Sequence, residues 1–171
     1  MSITYSSVES RDSVRLALLH AAINGLDLMA CDVGNAYLHA PCKEKVWFLG
    51  GAEAGEDKGK ILVIIRALYG LKSSGASWRS MLAQSLRDME FENTIADPDV
   101  WRRSAKTEAG KEYYELLLVY VDDILLSSHN PKVTMDVINN FYELKEPAGT
   151  PETYLGAQIY LHALADGTSA W

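Results

Sequence analysis

The sequence predicts an α+β domain in which helices pack on one side of a largely antiparallel sheet. Two apolar runs, Tyr113–Val121 and Ile124–Ser128, flank a tight turn and indicate two buried strands. Three amphipathic stretches with capping residues at their ends indicate helices. The resulting order is helix, strand, strand, strand, helix, strand, hairpin, helix, strand, which favours a mixed domain.

Length and composition fit one globular domain. The chain has 171 residues, enough for a sizeable core, with 48% apolar and 23% charged residues. The net charge of -7 argues against a broad nucleic-acid-binding surface but leaves a local basic groove open. Cys31 and Cys42 lack metal-ligand spacing, so we expect reduced thiols in an intracellular protein. No run is long enough to span a membrane and no signal peptide is evident, so we expect no membrane partner.

The first half of the chain predicts one helix followed by three strands. Ser10 or Ser13 caps the start of the helix, and Gly25 ends it. Its apolar face is expected to comprise Val14, Leu18, Ala21 and Ala22, widened by Leu16, Leu19 and Ile23. The predicted strands are Leu26–Val33, Val46–Leu49 and Ile61–Ile65, the last of them buried by composition.

The second half predicts two further helices around the hairpin. One begins near Gly75 and buries Trp78, Met81, Leu82, Ser85, Leu86 and Met89. The other has Pro131 in its first turn and apolar positions at Val133, Val137, Ile138 and Phe141. The remaining predicted strands are Asp99–Arg103, Tyr154–Leu161 and a short returning strand, Thr168–Trp171, after an Asp166-Gly167 turn.

Three carboxylates are candidates for one acidic site. Asp32 ends a predicted strand, and Asp122 and Asp123 occupy the hairpin turn. Each has an ordinary alternative, since aspartate is common in turns and caps. Neighbouring strands could nevertheless bring the three together, and their repulsion would be relieved by a cation. Such a cluster would hold two divalent ions about 4 Å apart, an arrangement suited to phosphoryl displacement.

The loop Gly70–Gly75 is a second candidate site. Two glycines and two serines surround Lys72 immediately before a predicted helix. A helix N-terminus can receive a phosphate group, because its first backbone N–H groups have no partners within the helix. The same composition also serves as a simple turn, so both interpretations stay open.

Three blocks of sequence follow one another along the chain. They are Asp-Val-Gly-Asn-Ala-Tyr-Leu at 32–38, Leu-Tyr-Gly-Leu-Lys at 68–72 with Trp78, and Tyr-Val-Asp-Asp at 120–123. In this order they resemble the reverse transcriptase domain of copia-type LTR retrotransposons. Further matches are Ala-Asp-Pro-Asp-Val-Trp at 96–101 and Tyr-Leu-Gly at 154–156.

The resemblance extends from about Tyr5 to Trp171 and departs from the family pattern at one place. Family members commonly have Gln-Ala-Pro-Arg after the lysine, whereas this chain has Ser-Ser-Gly-Ala at 73–76. This form is similar to a lineage described mainly from diatoms and other marine microbes.

The resemblance implies that residues 1–171 form a right-hand polymerase palm with part of the fingers and without the thumb. It implies that Asp32, Asp122 and Asp123 are catalytic and bind two Mg²⁺ ions, which Mn²⁺ can replace. The backbone carbonyl of Val33 is implied to face one of these ions.

The resemblance also implies contacts with nucleotide and nucleic acid. Tyr37 corresponds to an aromatic gate that excludes a ribose 2′-OH, although a core tyrosine beside a turn is the alternative. Gly70 and Lys72 correspond to a block that packs against template and nucleotide. Tyr120 and Val121 correspond to residues beneath the primer terminus and the incoming nucleotide.

The implied function is RNA-directed DNA polymerase activity, adding dNTP to a DNA primer on an RNA template. The implied setting is a retroelement polyprotein with fingers, thumb, ribonuclease H and integrase, located in the cytoplasm or in a virus-like particle. One alternative is a truncated relic without activity. Another is a different module of similar topology, such as a nucleotide cyclase-like or RNA-binding domain. An RNA-binding sheet would display aromatic residues on an open face, and no cyclase nucleotide signature is evident.

Overall fold

The computed structural model describes residues 10–165 and 167–171, which fall into two compact units. We call residues 35–84 the insert unit, and residues 10–34 with 85–171 the sheet unit. Among the described residues, no helix is long and apolar enough to cross a membrane. Tyr5, where the resemblance begins, lies outside the described residues. The helices are α1 (Arg11–Asn24), α2 (Ala36–His39), α3 (Ser74–Asp88) and α4 (Pro131–Phe141).

The sheet unit is built on a five-stranded antiparallel sheet. Its strands are β1 (Asp27–Asp32), β4 (Glu92–Asn93), β5 (Val100–Lys106), β6 (Glu112–Tyr120) and β7 (Asp123–Ser128). Their order across the sheet is β1-β7-β6-β5-β4, so β1 pairs with the second strand of the β6–β7 hairpin. The predicted antiparallel sheet and its hairpin are confirmed, whereas β4 was not predicted.

The interior strand β7, which lies between β1 and β6, is covered on both faces. Every residue from Ile124 to Ser128 is buried, and successive side chains on a strand point to opposite faces. On one face, Leu125, Leu118 and Val100 form a core cluster with Ala17 and Ala21 of α1. That face is therefore covered by α1.

The opposite face is covered by α4. Arg103 lies three residues beyond Val100 on β5, so it points to the other side of the sheet. Its Nη2 donates to Thr134 Oγ1 of α4 at 2.7 Å, and its Nε donates to Glu115 Oε2 at 2.7 Å. The prediction that helices pack on one side only is therefore wrong, since α1 and α4 lie on opposite faces.

The predicted caps of α1 are confirmed, but its predicted face is too wide. Ser10 Oγ accepts from the Ser13 backbone N–H at 3.1 Å, and Gly25 ends the helix with φ of 60°. The buried positions are Ala17 and Ala21. At 100° per residue, the residues expected to widen the face lie on the opposite side of the helix. These residues, all exposed, are Leu16, Leu19 and Ile23.

The predicted buried face is correct for α3 but not for α4. The predicted face of α3 is confirmed, because Trp78, Leu82 and Leu86 are fully buried. Helix α4 begins at Pro131 as predicted, but its face is rotated. Its buried positions include Thr134, Met135 and Ile138, whereas Val133, Val137 and Phe141 are exposed.

The insert unit contains a separate antiparallel pair. Among the described residues, strand β2 (Trp47–Leu49) pairs with β3 (Ile61–Val63) and with no other strand. A 3₁₀ helix, Ala52–Asp57, lies between them in the chain. Ile61 and Val63 are 65% and 66% exposed. The prediction of a buried strand at 61–65 is therefore wrong in its burial, because β3 does not join the five-stranded sheet.

The predicted final strand at 154–161 is also wrong, because the chain reverses within it. Leu155 and Gly156 both have positive φ and join β8 (Thr153–Tyr154) to β9 (Ala157–Gln158). The predicted returning strand is confirmed as β11 (Ser169–Ala170), which pairs with β10 (His162–Ala163). Of the predicted turn before β11, Asp166 lies outside the described residues, and Gly167 has φ of 83°.

Candidate active site

Strand pairing brings the three candidate carboxylates to one end of the sheet. In the β1–β7 register Asp32 lies directly opposite Asp123, so their side chains leave the same face. The Val33 backbone N–H donates to the Asp122 carbonyl at 2.9 Å, which holds the turn beside the end of β1. Asp32, Asp122 and Asp123 are therefore neighbours in the fold, although Asp32 is distant in sequence.

The turn that carries Asp122 has an unusual backbone. Tyr120 pairs with Asp123, which leaves Val121 and Asp122 as a two-residue connection between β6 and β7. Val121 has φ of 59°, whereas Asp122 does not have a positive φ. This sign pattern is that of a type II′ turn, whose first position normally holds glycine. A β-branched residue there costs about 1–2 kcal/mol, so the two buried strands must hold the turn in place.

A lysine that the sequence analysis did not single out lies among the carboxylates. Lys145 Nζ is 2.6 Å from Asp32 Oδ2 and 3.4 Å from Asp122 Oδ2. The side chains of Lys145, Asp32 and Asp122 are 49%, 37% and 24% exposed, so the cluster lies at the surface. The adjacent carboxylates of Asp122 and Asp123 repel each other, and a nearby cation reduces this repulsion. No basic residue is adjacent to them in sequence, so the sequence did not indicate which residue would supply the charge.

Backbone hydrogen bonds fix the position of Lys145. The segment after α4 runs beside β1, on the side away from β7, and the Lys145 N–H donates to the Asp32 carbonyl at 2.9 Å. Farther along, Ala30 and Gly149 exchange two backbone hydrogen bonds of 2.8 and 3.0 Å. Nothing in the local sequence of this segment indicated the long-range pairing.

Burial, hydrogen bonding and neighbouring charges all shift the pKa values of groups in the cluster. Burial, followed by the charges of Asp32 and Asp122, raises the pKa of Asp123, and Lys145 opposes this shift. The hydrogen bond to Asp32 is the main cause that raises the pKa of Lys145. Burial and the neighbouring carboxylates raise the pKa of Cys31 to about 12, so its thiol stays protonated.

The donor set fits a hard divalent cation, although the side chains are not arranged around one. Asp32 Oδ1 is buried and has no hydrogen-bond partner, and carboxylate oxygens are the ligands that Mg²⁺ prefers. Across residues 10–165 and 167–171, no group of three or more ligating side chains meets the geometry of a metal site. Instead, the ammonium of Lys145 contacts two of the three carboxylates.

The structure divides the remaining predicted site residues between the two units. Tyr120 and Val121 lie at the turn in the sheet unit. Tyr37, Gly70 and Lys72 belong to the insert unit. There the ring of Tyr37, which is on α2, packs against Tyr69 with 4.5 Å between centroids.

The loop before α3 binds a carboxylate from an earlier part of the insert unit. Glu44 Oε1 accepts from both the backbone N–H and the Oγ of Ser73, each at 2.8 Å. These bonds lower the pKa of Glu44. Ser74 Oγ donates to the Leu68 carbonyl at 2.6 Å. Both serines are thus engaged within the insert unit, which favours the turn interpretation over a phosphate site at these two residues.

Comparison with known proteins gives a consistent family. A family model described as "Reverse transcriptase (RNA-dependent DNA polymerase)" matches residues 2–166. The chain is 28% identical over 140 residues to the retrovirus-related Pol polyprotein from transposon RE1 of Arabidopsis thaliana, covering 80% of the chain and 9% of that protein. It is 27% identical over 161 residues to the retrovirus-related Pol polyprotein from transposon TNT 1-94 of Nicotiana tabacum, covering 91% and 12%.

A more distant match is the Transposon Ty1-BL Gag-Pol polyprotein of Saccharomyces cerevisiae. The identity is 28% over 108 residues, covering 63% of the chain and 6% of that protein. The chain therefore spans about a tenth of the length of the relatives it matches.

At Val121 we expect glycine to be tolerated better than alanine. Glycine has no Cβ to clash in the left-handed region, so Val121→Gly should unfold with a free energy about 1 kcal/mol above that of Val121→Ala. Urea denaturation of the two variants measures this difference.

Val119, two residues earlier on β6, provides the matched control because its φ is not positive. There alanine should be more stable than glycine by about 0.5–1 kcal/mol. A preference for alanine at both positions would contradict a strained left-handed turn at Val121.

Proposed function

Because the chain belongs to the reverse transcriptase (RNA-dependent DNA polymerase) family, we propose that it is the catalytic core of an RNA-directed DNA polymerase. The observation that carries this proposal is the meeting of Asp32, Asp122 and Asp123 at one end of an antiparallel sheet. Carboxylates gathered in this way suit a nucleotidyl transfer that depends on divalent metal ions.

The chain is proposed to work within a longer protein. It spans about a tenth of the Pol polyproteins that it matches, which supports additional segments in the working enzyme. We assign the sheet unit to a polymerase palm and the insert unit to part of the fingers. The rest of the fingers, the thumb, ribonuclease H and integrase would belong to other parts of the polyprotein.

The three aspartates would hold two Mg²⁺ ions, with the Val33 carbonyl as a further ligand and Mn²⁺ as a possible substitute. When bound, such ions lower the pKa of an attacking hydroxyl and neutralise charge on the leaving group. The primer 3′-hydroxyl would lose its proton to solvent as its oxygen attacks the α-phosphorus of a dNTP paired with an RNA template. A new P–O bond forms, the bond to the bridging oxygen breaks, and pyrophosphate leaves.

Other residues are proposed to position the substrates. Tyr120 and Val121 would support the primer terminus and the incoming nucleotide from the turn. Gly70 and Lys72 would lie against template and nucleotide. Tyr37 would contact the sugar and reject a ribose 2′-OH by steric clash, which is discrimination against the wrong substrate. The packing of Tyr37 on Tyr69 would support the ring in that role.

Two alternatives remain. One is an inactive, truncated relic, which the retention of all three aspartates disfavours. A sheet that binds RNA on an open aromatic face is disfavoured, because both faces of β7 are buried.

Substitution of Asp122 by asparagine should abolish polymerisation. The carboxylate charge would be lost while the side chain keeps its size, so primer extension should fall roughly a hundredfold or more. The measurement is extension of a DNA primer on an RNA template by the longest reading frame that contains this chain.

The control for that experiment is Asp136→Asn on α4. Asp136 is exposed and paired with Lys132, so this variant removes the same charge outside the carboxylate cluster. It should extend primers at the rate of the unsubstituted protein. Extension retained by Asp122→Asn, or by the equivalent Asp32→Asn variant, would rule out the assigned catalytic role.

Substitution of Tyr37 by alanine should weaken the preference for dNTP over rNTP by about tenfold or more, because the gate would lose its ring. Single-nucleotide incorporation with each sugar measures the ratio. Tyr37→Phe keeps the ring and should retain the preference. An unchanged ratio in Tyr37→Ala would remove this residue from sugar selection.

A further inference from the structure

The strongest unexplained feature is the ammonium of Lys145 among the proposed metal ligands. Its Nζ is 2.6 Å from Asp32 Oδ2 and 3.4 Å from Asp122 Oδ2. We infer that Lys145 is a built-in counter-ion, which pairs with these carboxylates in the metal-free chain and must leave them before a divalent cation binds. This inference rests on the proposed function, because it takes Asp32 and Asp122 to be metal ligands.

The backbone of Lys145 is fixed beside the carboxylates, whereas its ammonium is free to move away from them. The Lys145 N–H donates to the Asp32 carbonyl at 2.9 Å, which anchors the start of the side chain beside the site. The side chain itself is 49% exposed. A lysine side chain is long and flexible, so its ammonium can swing into solvent without movement of the anchored backbone.

The ammonium and a metal ion would require the same oxygen atoms. Lys145 bonds to the Oδ2 atoms of Asp32 and Asp122, while Asp32 Oδ1 remains buried without a partner. Two cations cannot share these oxygens closely, because like charges repel and each needs the lone pairs. One ammonium also cannot balance the charge of three neighbouring carboxylates. This shortage of positive charge favours replacement of the ammonium by a divalent ion.

Two consequences follow from such an exchange. Without metal, Lys145 reduces the repulsion between Asp32 and Asp122, so the carboxylates can stay together. With metal, the energy needed to break the two lysine contacts reduces the observed affinity. Lys145 would thus set the concentration of divalent cation at which the site fills.

The test is calorimetric titration of the 171-residue chain with Mn²⁺. Removing the ammonium in Lys145→Met should tighten Mn²⁺ binding roughly two- to tenfold, the range expected for losing two exposed ion-pair contacts. Lys145→Arg keeps the charge and should bind more weakly than Lys145→Met.

Lys132→Met is the matched control. Lys132 forms an exposed ion pair with Asp136 at 2.7 Å on α4, so this variant removes one positive charge outside the carboxylate cluster. Its Mn²⁺ affinity should stay close to that of the unsubstituted chain. If Lys145→Met binds no more tightly than Lys132→Met, the counter-ion inference is overturned.

A third variant separates this inference from the proposed function. Mn²⁺ binding that disappears in Asp122→Asn but does not respond to Lys145→Met would overturn only the inference. Mn²⁺ binding that is absent, or that is unaffected by Asp122→Asn, would overturn both the inference and the proposed metal site.

A second measurement needs no substitution and applies even if Lys145→Met does not fold. Acetylation of the unsubstituted chain, followed by mass spectrometry, reports how available each lysine is. Adding Mn²⁺ should increase the modification of Lys145 relative to that of Lys132, because the ammonium leaves the carboxylates. A ratio that does not change at saturating Mn²⁺ would contradict the exchange.

Discussion

The pairing of β1 with β7 is the contact on which the candidate site depends. It sets Asp32 opposite Asp123 and allows the Val33 N–H to bind the Asp122 carbonyl. A shift of one residue would send the Asp32 side chain to the opposite face of the sheet. The core opposes such a shift, because Leu28 and Leu125 on the same face pack in one cluster with α1. Apolar packing therefore holds the register that gathers the carboxylates.

That register places three carboxylates close together, and two features of the fold oppose their repulsion. The hairpin turn joins two strands that are largely buried. Their packing holds Val121 at its positive φ and keeps Asp122 and Asp123 in place. The segment after α4 then adds backbone hydrogen bonds to β1 and delivers Lys145 to Asp32 and Asp122. Burial is the main cause that raises the pKa of Asp123, and the charges of Asp32 and Asp122 add to this shift while Lys145 opposes it.

Features that depend on neighbouring residues in the chain could be predicted from the sequence. The Ser10 cap, the Gly25 end of α1, the Pro131 start of α4 and the strands around Asp122 all follow from local rules. The three aspartates could be suspected of forming one site, and the family blocks strengthened that suspicion.

Features set by distant contacts could not be predicted in the same way. Within the described part of the chain, β3 pairs with β2 and does not join the five-stranded sheet, so Ile61 and Val63 are exposed despite the apolar composition of the strand. The position of Lys145 depends on backbone pairing with β1, for which its own segment carries no periodic pattern. Glu44 likewise reaches Ser73 across a long stretch of chain, so the anion at that loop could not be inferred locally.

Binding of a divalent cation is expected to replace the Lys145 ammonium at the carboxylates. The most direct test of this replacement is a structure from crystals of the chain grown with Mn²⁺, in which anomalous scattering locates the ion. We expect an anomalous peak bounded by carboxylate oxygens of Asp32 and Asp122, with Lys145 Nζ no longer within hydrogen-bond distance of Asp32 Oδ2. A structure at saturating Mn²⁺ with Lys145 still joined to both carboxylates, and no peak among them, would contradict this conclusion.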